Sequence, residues 1–240
     1  MNTIKIDDKK QVLMVAHRGC SGLEQENTNA AFVAAGNRSY YGIETDIHAT
    51  ADGKFILIHD DNTKRVAGDA LNVEESSYDT LRGLLLLQKD GQKGRNDLRL
   101  SNLEEYIGIC IHYEKTAVLE LKGHLTREAV YEICDRIQAM DYLEHVIFIS
   151  FTMQNLLYMR EKHPEQAAQY LTGEPNEENI ARLVTHHLDL DVEYKKVTPE
   201  LVEKCHKNGI KVNCWTCDKK EDAEKLISYG VDFITSNILE

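Results

Sequence analysis

Three short clusters carry the chemistry of this chain: His17-Arg18-Gly19, Glu44-Thr45-Asp46 and His59-Asp60, each at the end of an apolar run. Imidazoles titrate near neutral pH, so His17 and His59 can exchange protons with an attacking and a leaving oxygen. Glu44 and Asp46 are two residues apart, and a strand repeats every two residues, so both carboxylates face one side. They repel each other unless a cation lies between them, and hard divalent ions favour such oxygens. Glu120 lies within the run Ala117–Leu121, and Lys122 shares its face. A charge on an apolar strand is costly without a partner, so Glu44, Asp46 and Glu120 read as one oxygen-rich metal site. Arg18 can clamp a phosphate through both arms of its guanidinium. This set of side chains suits a bound cation and the cleavage of a phosphodiester.

The elements that must position these groups are legible as runs of strand length. Strands are expected at 12–17, 42–48, 55–59, 117–121, 146–151, 167–171, 187–192, 211–215 and 232–235. Most are continuous apolar stretches, which favours parallel strands buried on both faces. Helical patterns separate them. Ser101 to Glu104 has the form of a capping box, followed by Leu103, Tyr106, Ile107, Cys110 and Ile111 at helical spacing. Thr198-Pro199 reads as an N-cap with proline at N1, and Gly209 as the residue that ends that helix. Asp218 to Glu221 reads as the cap of a helix ending at Gly230. Strand–helix alternation predicts a mainly parallel α/β fold, and the length permits an α/β TIM (β/α)8 barrel, with one of the nine strands outside it. Only Ala49 to Lys54 join the second and third runs, too few for a crossover helix, and Asp52-Gly53 signals a hairpin that brings His59 near Glu44. Residues 61–102 read as an excursion near the mouth of the barrel, with an apolar patch at Leu84–Leu87.

A length of 240 residues suits a single barrel domain spanning 1–240. The net charge of −12 argues against nucleic acid as a partner. No apolar run is long enough to span a membrane, and the polar N-terminus lacks a signal-peptide pattern, so a cytoplasmic protein is expected. Six cysteines in such a chain are expected to be reduced. Cys214 and Cys217 lie at a strand end, not at a helix start, and read as packed thiols. No phosphate loop of the G-x-x-x-x-G-K type is present.

In order, Ala16-His17-Arg18-Gly19, Glu26-Asn27-Thr28, Glu44-Thr45-Asp46, Thr50-Ala51-Asp52-Gly53, His59-Asp60, Glu120-Leu121-Lys122, Ser150-Phe151, Trp215-Thr216 and Gly230-Val231-Asp232 resemble the glycerophosphodiester phosphodiesterase family over almost the whole chain. The resemblance implies a barrel with its site at the C-terminal strand ends. It implies one divalent cation, Mg²⁺ or Ca²⁺ or Mn²⁺, on Glu44, Asp46 and Glu120, and His17 and His59 as an acid–base pair. It also implies Arg18, Asn27, Lys122 and Trp215 as substrate-binding residues, with Trp215 against the glycerol. The implied reaction is metal-dependent hydrolysis of a small-molecule glycerophosphodiester to sn-glycerol 3-phosphate and an alcohol. A lysophospholipase D, a phospholipase C-like lipid phosphodiesterase and a non-catalytic phosphodiester-binding barrel are the alternatives. An exposed apolar loop, for which Leu84–Leu87 is the one candidate, would favour the lipid enzymes. The chain departs from the family pattern at Cys20, at Gln25 and in the ending Thr235-Ser236-Asn237-Ile238.

Overall fold

The computed structural model describes residues 2–240. Eight parallel strands close into a barrel: β1 (Leu13–Ala16), β2 (Gly42–Ala49), β4 (Thr116–Leu121), β5 (Val146–Ser150), β6 (Ala168–Thr172), β7 (Asp189–Glu193), β8 (Val212–Trp215) and β9 (Phe233–Ser236). β1 pairs with both β2 and β9, which completes the ring. The strand left outside is β3 (Phe55–Leu57), which runs antiparallel to the end of β2 with Ile47 opposite Leu57. The Asp52-Gly53 hairpin has a clear local cause. Gly53 takes a φ of +71°, the Thr50 amide donates to the Lys54 carbonyl, and Asp52 accepts from the Thr50 hydroxyl and from the Tyr78 amide. The Ile58 amide then donates to the Asp46 carbonyl, so the next residue, His59, arrives above the carboxylates.

Two apolar layers hold the barrel. Inside it, Val15, Val118, Ile147, Ile149, Leu171 and Phe233 form a compact cluster. Outside, the alternate strand residues pack on the crossover helices α1 (Asn29–Gly36), α4 (Leu103–Tyr113), α5 (Arg127–Ala139), α6 (Met153–Lys162), α7 (Glu177–His186), α8 (Pro199–Lys207) and α9 (Lys220–Tyr229). Thr198 caps α8 by accepting from the Leu201 amide, with Pro199 at N1, as its sequence predicts.

Two other caps differ from expectation. α4 is capped by Asn102, whose side chain accepts from the Glu105 amide, and Ile111 on that helix is exposed. Asp218 does not cap α9, which starts from Lys219 without a side-chain cap. The Asp218 carboxylate is engaged elsewhere, by Ser236 and Asn237.

The excursion carries two short helices, α2 (Lys64–Ala67) and α3 (Tyr78–Gly83), and a core of its own. Leu86 is fully buried in that core with Val66, Val73, Leu81, Leu98 and Leu100, and Leu84 packs against it. The Leu84–Leu87 patch is therefore not the exposed apolar loop that a lipid enzyme would need, because Leu86 is buried and Leu84, Leu85 and Leu87 are half-buried. All six cysteines are buried and free. No helix among the described residues is long and apolar enough to cross a membrane.

Candidate active site

One cavity opens at the C-terminal ends of the strands, lined on one side by His17, Arg18, Glu44, His59 and Glu120 and on the other by Ile149, Phe151, Leu171 and Trp215, with Asp191 among them. The barrel topology puts His17 just past β1, Glu44 and Asp46 on β2, Glu120 on β4 and Trp215 at the end of β8. Of the residues singled out in the sequence, Asp46, Asn27 and Lys122 stand behind this lining.

The local backbone around β1 is bent to serve the carboxylates. Arg18 adopts a left-handed φ of +53°, as does Asn27. Such strain in non-glycine residues gathers at functional sites. Gly19 follows at +75°, where a Cβ would lie 2.6 Å from the Ala31 backbone, so only glycine fits. This turn aims the Arg18 amide at Glu44 Oε2 (2.7 Å). Asn27 spends its amide on the metal-site strand: Nδ2 donates to Asp46 Oδ2 (2.8 Å) and Oδ1 accepts from Thr45 (2.7 Å).

Ligand atoms of Glu44, Asp46 and Glu120 lie within 4.8 Å of one another, and all three side chains are buried. Lys122 Nζ sits 2.9 Å from Glu120 and 3.5 Å from Asp46. Burial raises the proton affinity of all three acids, but with different outcomes. Burial plus the charges of Asp46 and Glu120 pushes Glu44 well above the carboxylate range. Burial and Asp46 push Glu120 up to about 7. For Asp46, Arg18 and Lys122 outweigh burial and hold it at about 2. Without a cation, only one of the three holds its charge easily. The buried Asp46 Oδ1 accepts no hydrogen bond among the described residues and faces Lys122 Nζ only at 3.5 Å. An oxygen so weakly satisfied within a three-carboxylate cluster fits a hard divalent ion.

Each histidine is held from behind through Nδ1. His17 Nδ1 lies 2.8 Å from Asn237 Oδ1, and Asn237 Nδ2 donates to Asp218 Oδ2 at 2.6 Å. A carboxylate only accepts, so the Asn237 amide nitrogen must face Asp218 and its oxygen must face His17. His17 Nδ1 therefore carries the proton and Nε2 is left as the acceptor. Burial, reinforced by Arg18, lowers the His17 pKa to about 4, so it is neutral near pH 7. His59 Nδ1 lies 2.7 Å from Asp60 Oδ1, which likewise leaves Nε2 free.

Sequence reasoning missed three of these groups. Asn237 and Asp218 are the His17 support. Arg65, from α2 of the excursion, grips Asp60 through Nε (2.8 Å) and Nη2 (2.9 Å) and Glu26 through Nη1 (2.6 Å) and Nη2 (2.8 Å). Glu26 in turn accepts from Arg18 (2.8 Å). One guanidinium thus ties the support of His59 to that of Arg18. The signal for Arg65 was its place five residues after Asp60; for Asn237 no local signal exists.

The family model described as the Glycerophosphoryl diester phosphodiesterase family matches residues 17–239. A glycerophosphodiester phosphodiesterase of Caldanaerobacter subterraneus subsp. tengcongensis is 31% identical over 231 residues, covering 95% of this chain and 94% of the relative. A crystal structure of a glycerophosphodiester phosphodiesterase from Parabacteroides distasonis has a TM-score of 0.80 at 28% identity, over 95% of this chain and 93% of that one. An Oleispira antarctica phosphodiesterase, solved in complex with the product sn-glycerol-3-phosphate, shares the fold with a TM-score of 0.81 at 24% identity, over 94% and 93% of the two chains.

Proposed function

Because this chain belongs to the glycerophosphoryl diester phosphodiesterase family, we propose that its barrel, taken as one domain over residues 1–240, hydrolyses small glycerophosphodiesters to sn-glycerol 3-phosphate and an alcohol. The observation that carries this reading is that one cavity brings two histidines, each fixed through Nδ1, to Glu44 and Glu120, whose ligand atoms lie within 4.8 Å of each other and of Asp46 behind them.

Glu44, Asp46 and Glu120 are the residues that would hold a divalent cation, Mg²⁺, Ca²⁺ or Mn²⁺. When bound, the ion supplies Lewis-acid polarisation of the phosphate oxygens and neutralises the three acids. Arg18 and Lys122 hold the phosphate, and Arg18 keeps Glu44 in place through its own backbone amide. Asn27 orients Asp46 and does not touch substrate, since both ends of its amide are engaged. His17 is the base: it is neutral at pH 7, its Nε2 is an acceptor, and it takes a proton from the attacking oxygen. His59 is the acid. It stands at the rim, 36% exposed, where a departing alcohol meets solvent, and as the imidazolium, with Nδ1–H on Asp60, it would pass its Nε2 proton to that alcohol. Trp215 and Phe151, with ring centroids 5.6 Å apart in an edge-on pair, wall the apolar side. The balance of the step is simple: a P–O bond to the new oxygen forms, the P–O bond to the alcohol breaks, and one proton moves from His59 while another moves to His17.

The test is release of glycerol 3-phosphate from glycerophosphocholine and glycerophosphoethanolamine, with EDTA and with each of the three cations. Release that depends on the cation supports the proposal. A folded protein that releases none with any of them refutes it.

A further inference from the structure

The barrel interior beneath the metal site is polar on one side, and its polar groups are unevenly satisfied. Asn213 donates to Gln169 Oε1 (2.9 Å) and accepts from Thr235 (3.2 Å), so these three neighbours use one another. Asp191, opposite Asn213 in the β7–β8 register, is left out. It is 1% exposed, it lines the cavity, and its Oδ1 is buried without a hydrogen-bond partner among the described residues. A second orphan lines the same cavity from the next strand: Trp215 Nε1, also buried and without a partner. One is an acceptor and the other a donor. Hydroxyl groups are the ligand chemistry that suits both, because a hydroxyl can accept as well as donate. The remaining wall on this side, Ile149, Phe151 and Leu171, is apolar, as suits the carbon face of a small polyol.

Resting on the hydrolase reading above, we infer that Asp191 is a specificity residue of the substrate pocket, its Oδ1 accepting a hydrogen bond from a hydroxyl of the glycerol moiety, with Trp215 Nε1 left to donate to an oxygen of that moiety. Burial, with the charge of Glu120 nearby, pushes the Asp191 carboxyl well above its ordinary range. In either protonation state an oxygen remains to accept. Nothing in the fold needs this acid: its flanks, Leu190 and Val192, pack outward in the main core. An unsatisfied group of this kind is a stability sacrifice that binding would relieve.

The experiment is calorimetric binding of sn-glycerol 3-phosphate and of propyl phosphate, which lacks both hydroxyls, with the same saturating Mg²⁺. It uses the wild type, Asp191→Leu and Asp191→Asn, each with its melting temperature. The wild type is expected to prefer glycerol 3-phosphate by ~10²-fold or more, as sites built around a substrate hydroxyl do. Asp191→Leu is expected to lose at least ~10-fold of that preference while melting no lower than wild type, and Asp191→Asn, which keeps an acceptor oxygen, to retain most of it. The inference is overturned if the wild type binds both ligands alike, or if Asp191→Leu keeps the full preference. It is also overturned if either variant melts well below wild type with its preference intact, since that is a structural role. Hydroxyl preference in binding without hydrolysis of any glycerophosphodiester would leave Asp191 in place and remove only the reaction. Hydrolysis without hydroxyl preference would do the reverse.

Discussion

Glu120→Gln, studied without metal, gives the most direct test of the electrostatics at this site. In the folded protein burial and Asp46 raise the Glu120 pKa from 4.5 to about 7. That difference corresponds to about 3 kcal/mol. The folded state keeps a proton that the unfolded chain gives up, so the contribution of this group is complete below 4.5 and is lost as pH rises through 7. Glutamine has the shape of the protonated acid and no charge to develop. In EDTA the variant should therefore match wild type near about pH 5 and exceed it by up to about 3 kcal/mol at about pH 8. This is a ceiling, because Glu44 and Asp46 share the repulsion. The comparison is clean because His17, whose pKa falls to about 4, gains stability over the lower part of the same window in both proteins alike and cancels. Urea unfolding at several pH values reads the difference. Cation at a thousandfold its Kd should invert the order, since it adds about 4.1 kcal/mol to the protein that binds it. Parallel pH profiles in EDTA, or a variant less stable than wild type at about pH 8, would refute both the burial argument and the metal assignment built on it.

Three further outcomes follow from the geometry. His17→Ala and His59→Ala should each lower kcat by ~10²–10⁴-fold with an unchanged melting temperature; a loss below tenfold in either would remove that histidine from the chemistry. Arg65→Lys should lower kcat/KM about tenfold, worth about 1.4 kcal/mol, because a single ammonium cannot reproduce the fork on both Asp60 and Glu26; calorimetry should find the affinity for the cation unaltered. Asn237→Asp places a carboxylate 2.8 Å from His17 Nδ1, which favours the imidazolium, so with saturating cation the acidic limb of the kcat/KM profile should move upward from about 4. A limb that stays in place would show that Asn237 does not govern His17.

What the sequence reveals and what it hides divides along the range of the interactions. The nine strands are legible because most are contiguous apolar runs, and the hairpin because Asp52-Gly53 carries its own hydrogen bonds. The metal carboxylates were legible because an acid inside an apolar run needs a partner wherever the chain goes. The same rule applies to Asp191, between Leu190 and Val192, although Asp189 in the same run dilutes the signal. The failures are of another kind. Asp218 has a plausible local role as a helix cap, yet it serves residues 18 and 19 positions away. There the carboxylate meets three donors from Ser236 and Asn237, where a cap offers one or two amides. His17 and its partner Asn237 are 220 residues apart and meet only because β1 pairs with β9. Barrel closure is thus the step that builds the base. A change that loosens the β1–β9 register would disturb the tautomer of His17 before it disturbed the carboxylates, which sit on β2 and β4 and hold together through their own pairing.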